Sequence, residues 1–249
     1  LAFLRHIAGM QNWAVIVAGG SGTRMGAPQP KQFMELEGKP LLAHSVQAFI
    51  DADPGITPVI VLPASWMDMG RELLKKFFPD VSFRFSFGGE TRFHSVQNGL
   101  LEIEGDGIVF VHDAVRCLVS TALIRRCAEV AMASGSAIPA VPVRDSLRVI
   151  SAGGHQPINR EMIRAIQTPQ TFKTEVLLPA FNQPYHPGFT DEATVVEAAG
   201  KKVTLVEGEE TNIKVTYPVD LVIAAEVIRQ RKGMVDPGQS GEACLKEQV

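Results

Sequence analysis

The chain has 249 residues, 45% hydrophobic and 20% charged, with a formal net charge of -3. That length can bury a substantial core, and a single globular domain is expected. The balance lacks the basic footprint of a nucleic-acid binder, Cys117, Cys127 and Cys244 fall in no C-x-x-C or Cys/His ligand spacing, and no apolar run approaches the length of a spanning helix. Nucleic acid, a disulfide framework, structural zinc and a membrane are set aside, and a reducing cytoplasm is the expected location.

Leu1 to Gly9 carries an apolar stretch too short and broken for a signal peptide, so residues 1–11 read as an extension, with Met10 a candidate start. Trp13 to Ala18 is a short β-branched run ending at Gly19, which is how a strand buried on both faces of a parallel sheet reads. Similar runs recur at Val59 to Leu62, Gly107 to Val111 and Ala137 to Val141. Helix-length stretches separate them: Pro40 to Ala52, Arg71 to Phe78, Phe93 to Ile103 and Thr121 to Ser134. The alternation predicts a Rossmann-like α/β fold with a doubly wound, mainly parallel sheet, whose ligands collect outside the carboxyl ends of the strands. The loops after Ala18 and Val111 are the first places to seek chemistry.

From Val143 to Ile150 polar and apolar residues alternate, a turn follows at Ser151 to Gly154, and the pattern resumes through Arg160. This predicts a protruding β-hairpin arm over about 142–162, serving either as a sheet-edge excursion or as a contact with a second subunit. Val203 to Val206 and Asn212 to Thr216 read as strands, and Pro218 to Arg231 as a helix with Asp220 in its first turn. The domain is expected to span 12–232, and the polar, aperiodic 233–249 to form a disordered tail.

Ala18-Gly-Gly-Ser-Gly-Thr-Arg-Met25 directly follows the first predicted strand. Closely spaced glycines let backbone N–H groups approach a phosphate or sugar. No Gly-Lys-Ser/Thr closes a P-loop, and Met25 stands where a dinucleotide fingerprint needs its third glycine. Arg24 and Lys31 add the cations a triphosphate requires, although a glycine turn beside two solvated cations would read alike.

With Pro30-Lys-Gln32, this loop resembles the signature of the sugar nucleotidyltransferases. Gly88-Gly-Glu-Thr-Arg-Phe-His-Ser-Val96, Val111-His-Asp-Ala-Val-Arg116, Pro142-Val-Arg-Asp-Ser146, Gln167-Thr-Pro-Gln170, Thr190-Asp-Glu-Ala193 and Asn212-Ile-Lys-Val-Thr216 follow in the order found in 2-C-methyl-D-erythritol 4-phosphate cytidylyltransferases. The similarity covers about Asn12 to Arg231. It implies transfer of a cytidylyl group from CTP to the polyol phosphate, with release of pyrophosphate, in non-mevalonate isoprenoid precursor synthesis. Arg24, Lys31 and Lys214 are its implied catalytic cations, and Mg²⁺ is the implied cofactor, held mainly by CTP phosphates with Asp113 a candidate helper. Ala18, Gly19, Gly20, Ser21, Gly22, Gly89, Glu90, Ser95, Asp113 and Ala114 are implied to bind the nucleotide. Asp113, Arg116, Ser146, Arg160, Thr190 and Lys214 are implied to bind the polyol phosphate, with Ser146 and Arg160 reaching a partner's site across a homodimer.

Each role has a plainer counterpart: a surface lysine for Lys214, a loop cap for Asp113, a solvated arginine for Arg160, and a helix-capping turn for Gly88 to Glu90. Val115 and Cys117 depart from the Ala and Pro of many relatives, which puts the polyol pocket beside Arg116 in question. A pentitol (ribitol) 5-phosphate cytidylyltransferase and a non-catalytic nucleotide-binding regulatory module are the alternative functions.

Overall fold

The computed structural model describes residues 10–20 and 29–235. The expected loop residues Ser21, Gly22 and Arg24, residues 1–9 and the tail beyond Val235 lie outside the described residues. In chain order, β1 (Trp13–Val17) leads through a short 3-10 turn, Lys31–Phe33, to the small ribbon β2 (Glu35–Leu36) and β3 (Lys39–Pro40). Next come α1 (Leu41–Ala52), β4 (Thr57–Leu62), α2 (Met67–Phe77), β5 (Arg84–Phe87), α3 (Arg92–Leu100), β6 (Ile108–Asp113), α4 (Thr121–Ser134) and β7 (Ser136–Pro142). The hairpin β8 (Leu147–Ser151) and β9 (Gly154–Ile158) precedes β10 (Arg164–Ile166) and β11 (Gln170–Lys173). The chain closes with α5 (Thr174–Ala180), α6 (Glu192–Ala198), β12 (Leu205–Glu207) and α7 (Pro218–Val235).

Among the described residues, eight strands form the central sheet in the order β10-β7-β11-β6-β1-β4-β5, with β12 on β7. β1 pairs parallel with both β4 and β6, and β4 with β5, whereas β11 runs antiparallel between β6 and β7. The fold is thus the expected α/β arrangement, mainly parallel. Its core lies on both faces of the sheet. Ala14, Ile16, Ile60, Leu62 and Phe110 face a layer that includes Val46, Phe49, Leu74 and Leu123 from α1, α2 and α4. Trp13, Val15, Val59, Val61 and Val111 face Phe93, Val96, Leu177 and Val196 from α3, α5 and α6. Because alternate residues point to opposite faces, double burial demands an uninterrupted apolar strand, and each such side chain contributes about 1.5–3 kcal/mol. Gly99 lets α3 lie close on the sheet: a Cβ there would come within 2.7 Å of Val15 and 2.8 Å of Val61. That proximity sets the N-terminus of α3 beside the end of β1. No helix among the described residues is long and apolar enough to cross a membrane.

Several boundaries differ from expectation. Gln11 belongs to the body, its side chain donating to the Gly55 carbonyl (3.0 Å) and the Thr57 hydroxyl (2.9 Å). The strand expected at 203–206 lies at Leu205–Glu207. The helix expected to stop at Arg231 runs on through Gly233 to Val235, since continued backbone bonding offsets the roughly 1 kcal/mol cost of one helical glycine. Asn212 to Thr216 is not a strand. Its hydrogen bonds go to turns and to one carbonyl, Val215 N–H donating to Val115 at 2.9 Å, instead of into a ladder. The alternation read there is real in packing, with Val215 buried and Lys214 half-exposed.

Candidate active site

A cleft of about 300 Å³ opens at the carboxyl ends of β1 and β6, between Gly19-Gly20, the 3-10 turn at Lys31 and Gln32, the Gly89 to Arg92 turn, Asp113, Val115 and Lys214. β1 ends in a tight junction: Ala18 donates its N–H to Val61 O (2.9 Å), and its carbonyl accepts from the buried Gln32 side chain (2.6 Å). Gln32 therefore ties the first glycine loop to the turn bearing Lys31, whose Nζ donates to Val215 O at 2.8 Å. Lys31 and Lys214 are in this way brought to one wall.

The second wall is the start of α3. Thr91 caps the helix, accepting from His94 N–H at 3.4 Å, and Ser95 Oγ accepts from Gly89 N–H (3.0 Å) while donating to Thr91 O (2.9 Å). Gly89 sits so close to α3 that a Cβ would fall 2.4 Å from His94 Cβ and 2.9 Å from its carbonyl carbon. The turn is thus both a helix cap and a lining of the cleft. Ser95 is buried and holds the turn; Glu90 is exposed at the cleft edge.

Asp113, the last residue of β6, is the charged centre. Its Oδ2 lies 2.8 Å from Lys214 Nζ and 3.8 Å from Arg116 Nε, and its Oδ1 accepts from Arg92 Nε at 3.3 Å. Burial alone would raise the Asp113 carboxyl, but Arg92, Lys214 and Arg116 outweigh it and hold the group well below the usual carboxylate range. Arg92 also grips Glu192 with both terminal nitrogens, NH2 at 3.2 Å from Oε2. Burial opposes its charge, yet Glu192 and Asp113 keep the guanidinium protonated well above the ordinary arginine range.

Behind Asp113, a neutral histidine fixes the strand end. His112 Nε2 lies 3.2 Å from the Arg116 carbonyl, which can only accept, so Nε2 carries the proton and Nδ1 accepts from the Thr168 hydroxyl at 3.0 Å. Thr168 Oγ1 in turn accepts from Asp113 N–H at 3.1 Å. Complete burial pushes His112 down to about 3, with Arg116 and Arg92 adding to the effect and Asp113 opposing it.

Of the expected site residues, Ala18, Gly19, Gly20, Lys31, Gly89, Glu90, Ser95, Asp113 and Lys214 line this one cleft. Five do not. Ala114 is a core residue outside the lining residues, its N–H committed to Val17 O (3.0 Å) and its carbonyl accepting from Ser45 (2.8 Å). Thr190 lies outside the lining residues. Ser146 and Arg160 sit at the base of the hairpin, Arg160 donating to Arg144 O at 2.7 Å. Arg116 lies outside the lining residues, its two terminal nitrogens donating to Asn212 O (2.8 Å) and Ile166 O (3.4 Å). Val115 lines the cleft, whereas Cys117 is packed with Leu118 and Val215, its thiol pushed up by burial to about 12. Of the two unusual residues, only Val115 reaches substrate space. Gln32, Arg92, Glu192 and Thr168 have no role assigned from sequence, although each stands inside one of the motif blocks.

Glycine turns facing two lysines and an anchored carboxylate, at the strand ends of a mainly parallel sheet, suit a nucleotidyltransferase. The family model for IspD, 2-C-methyl-D-erythritol 4-phosphate cytidylyltransferase, matches residues 13–230. This chain belongs to that family. It is 42% identical over 219 residues to the curated 2-C-methyl-D-erythritol 4-phosphate cytidylyltransferase of Bacteroides thetaiotaomicron, covering 88% of this chain and 100% of that one. Against the Porphyromonas gingivalis enzyme of the same name identity is also 42%, over 86% of this chain and 96% of the relative. The crystal structure of the Thermus thermophilus enzyme superposes with a TM-score of 0.71 at 34% identity, over 88% of this chain and 100% of that one. The 4-diphosphocytidyl-2C-methyl-D-erythritol synthase of Anaerococcus prevotii gives a TM-score of 0.77 at 25% identity, over 90% and 99%.

Proposed function

We propose that this chain condenses CTP with 2-C-methyl-D-erythritol 4-phosphate to give 4-diphosphocytidyl-2-C-methyl-D-erythritol and pyrophosphate. A phosphate oxygen of the polyol attacks the α-phosphorus of CTP; the new P–O bond forms as the bond to the bridging oxygen of the β-phosphate breaks, and that oxygen leaves with its electron pair on pyrophosphate. Two anions meet and charge grows on the five-coordinate phosphorus, so the protein's task is positioning and charge stabilisation. The observation that carries this reading is the convergence of Lys31 and Lys214 with the Gly19-Gly20 and Gly89-Glu90 turns around one cleft.

In this reading Lys31, Lys214 and Arg24 neutralise the triphosphate and the developing charge. The Gly89 to Ser95 turn, which lines the cleft, faces the cytosine and offers it backbone groups. Mg²⁺ travels with the nucleotide. Of the two carboxylates lining the cleft, Asp113 and Glu90, Asp113 would help place it, although both Asp113 oxygens already face cations. A hard, oxygen-preferring cation would be held mainly by the CTP phosphates, where it would offset their charge. The working unit is a cytoplasmic homodimer in which the β8–β9 hairpin brings Ser146 and Arg160 to the partner's polyol phosphate, while Thr190 and Arg116 serve the same substrate once it closes the cleft.

The test is pyrophosphate release by purified protein supplied with CTP, Mg²⁺ and, in separate reactions, methylerythritol phosphate, ribitol 5-phosphate or simple sugar phosphates. Turnover with methylerythritol phosphate at least about tenfold above the others is expected, an increment of about 1.4 kcal/mol in transition-state binding. Preference for ribitol 5-phosphate, or nucleotide binding without turnover, would overturn the assignment.

A further inference from the structure

A carboxylate held through one oxygen can swing about its terminal torsion, which is broad. Asp113 is held through both. Oδ2 takes the Lys214 ammonium at 2.8 Å and Oδ1 takes Arg92 Nε at 3.3 Å, so the arginine sets the plane in which the aspartate presents itself to the lysine. Arg92 is itself a long side chain that would not stay put alone. Its other two nitrogens are clamped by Glu192, whose side chain is 1% exposed. Glu192 is fixed in turn by the start of α6, where Asp191 and Thr194 form a capping box and Ala193 N–H donates to Gln170 Oε1 at 2.8 Å.

An ion pair with one partner this deeply buried, Glu192 at 1% against Arg92 at 28%, is a poor way to obtain stability, because desolvation of the carboxylate cancels most of the attraction. A simple tie between α3 and α6 would need the contact between Arg92 and Glu192 and nothing more. The Nε bond to Asp113 is surplus to that tie, and it is directed at the carboxylate that holds Lys214. From this we infer that Arg92, locked by Glu192, is a positioning residue of the transfer reaction: it acts through Asp113 to hold the Lys214 ammonium against the cleft. The inference rests on the catalytic part given to Lys214 above.

Arg92→Lys separates the two readings. A lysine keeps the charge and can pair with Glu192, but its single ammonium cannot fork to both carboxylates. Turnover should fall about 10²-fold, the cost of a misplaced catalytic group, while the KM for CTP moves less than about threefold. In a Lys214→Ala background, Arg92→Lys should cost nothing further, because the group it positions is gone. Should Arg92→Lys fail to fold, Glu192→Gln, which keeps shape and one acceptor, should lower kcat in the same direction with the same loss of effect beside Lys214→Ala. Wild-type kcat in the folded variant, or a loss that adds in full to that of Lys214→Ala, would overturn the inference while leaving Lys214 in place. Wild-type kcat in Lys214→Ala itself would remove the catalytic reading of that lysine and this inference with it.

Discussion

Lys31 Nζ donates to the carbonyl of Val215 at 2.8 Å, a contact between residues 184 positions apart in the chain and one step from Lys214. Two cations that sequence places at opposite ends of the protein thereby share a wall, and a phosphate entering between them meets both. Lys31→Ala and Lys214→Ala should each lower kcat by about 10²–10³-fold, as loss of one preorganised donor does, with CTP affinity changed far less. Arg24→Ala should behave alike. Steady-state rates beside equilibrium CTP binding decide it; loss confined to binding would refute a part in the chemical step.

Asp113 carries the opposite sign among three cations. Asp113→Asn leaves Arg92 and Lys214 facing no anion at that point, and because Lys214 is half-exposed the loss should fall below the roughly 3–5 kcal/mol of a fully buried pair. Because the folded carboxyl titrates below its unfolded value, its contribution is complete above roughly pH 4 and is lost as pH falls through the folded value. Urea melts of wild type and variant should therefore differ most at neutral pH and draw together in acid. A gap that stays constant down to pH about 3 would contradict the sign.

The sheet was legible from sequence where burial on both faces forces it, as in Trp13 to Val17, Val59 to Leu62 and Ile108 to Val111, although β4 starts earlier at Thr57 and β6 runs on to take in Asp113, expected in the following loop. It was not legible at Gln170–Lys173, where only Phe172 advertises a core position; β11 inserts antiparallel between β6 and β7 because its register, rather than its composition, suits that gap. The same limit hid Arg92. Its block was evident, but a guanidinium becomes chemistry only beside Asp113 and Glu192, and Glu192 lies 100 positions on. Asn212 to Thr216 failed the other way: a turn-bonded segment beside the cleft alternates in burial as a strand does without joining a ladder.

His112 sets a second acid response. It is buried neutral with one nitrogen donating and the other accepting, and its folded value of about 3 lies below the unfolded 6.5. Its contribution is thus whole above pH 6.5 and declines as pH falls toward 3, by up to about 1.4 kcal/mol per pH unit. His112→Gln should lose stability at pH about 7.5 yet show a flatter decline toward pH about 5. Parallel curves for the two proteins would show that another group governs the acid limb.

Gly89 offers a test of the turn that bounds the nucleotide. With a Cβ placed 2.4 Å from His94 Cβ and 2.9 Å from backbone carbon, Gly89→Ala must push the turn off α3, and neither neighbour is a flexible tip that could yield. The KM for CTP should rise about tenfold or more, the loss of roughly 1.4 kcal/mol of binding, while the KM for the polyol phosphate stays near its wild-type value. An unchanged CTP KM would move cytosine recognition elsewhere.

The hairpin and its base present apolar side chains to solvent. Ile150 is 84% exposed on β8 and Met162 80% exposed at the base of the arm, beside Arg160. Apolar side chains presented on a projecting ribbon gain from burial against another subunit, about 25 cal/mol per Å² removed from water. Ile150→Lys should then shift the protein from dimer toward monomer in sedimentation and lower turnover at low protein concentration, recoverable as concentration rises. Arg160→Ala should raise the KM for the polyol phosphate more than that for CTP. Mixed dimers of Arg160→Ala and Lys31→Ala chains should regain activity, because one of the two clefts would receive an intact arm from the partner while keeping its own lysine. Efficient exchange of subunits without recovery would mean that each chain completes its own site and that the arm serves assembly alone.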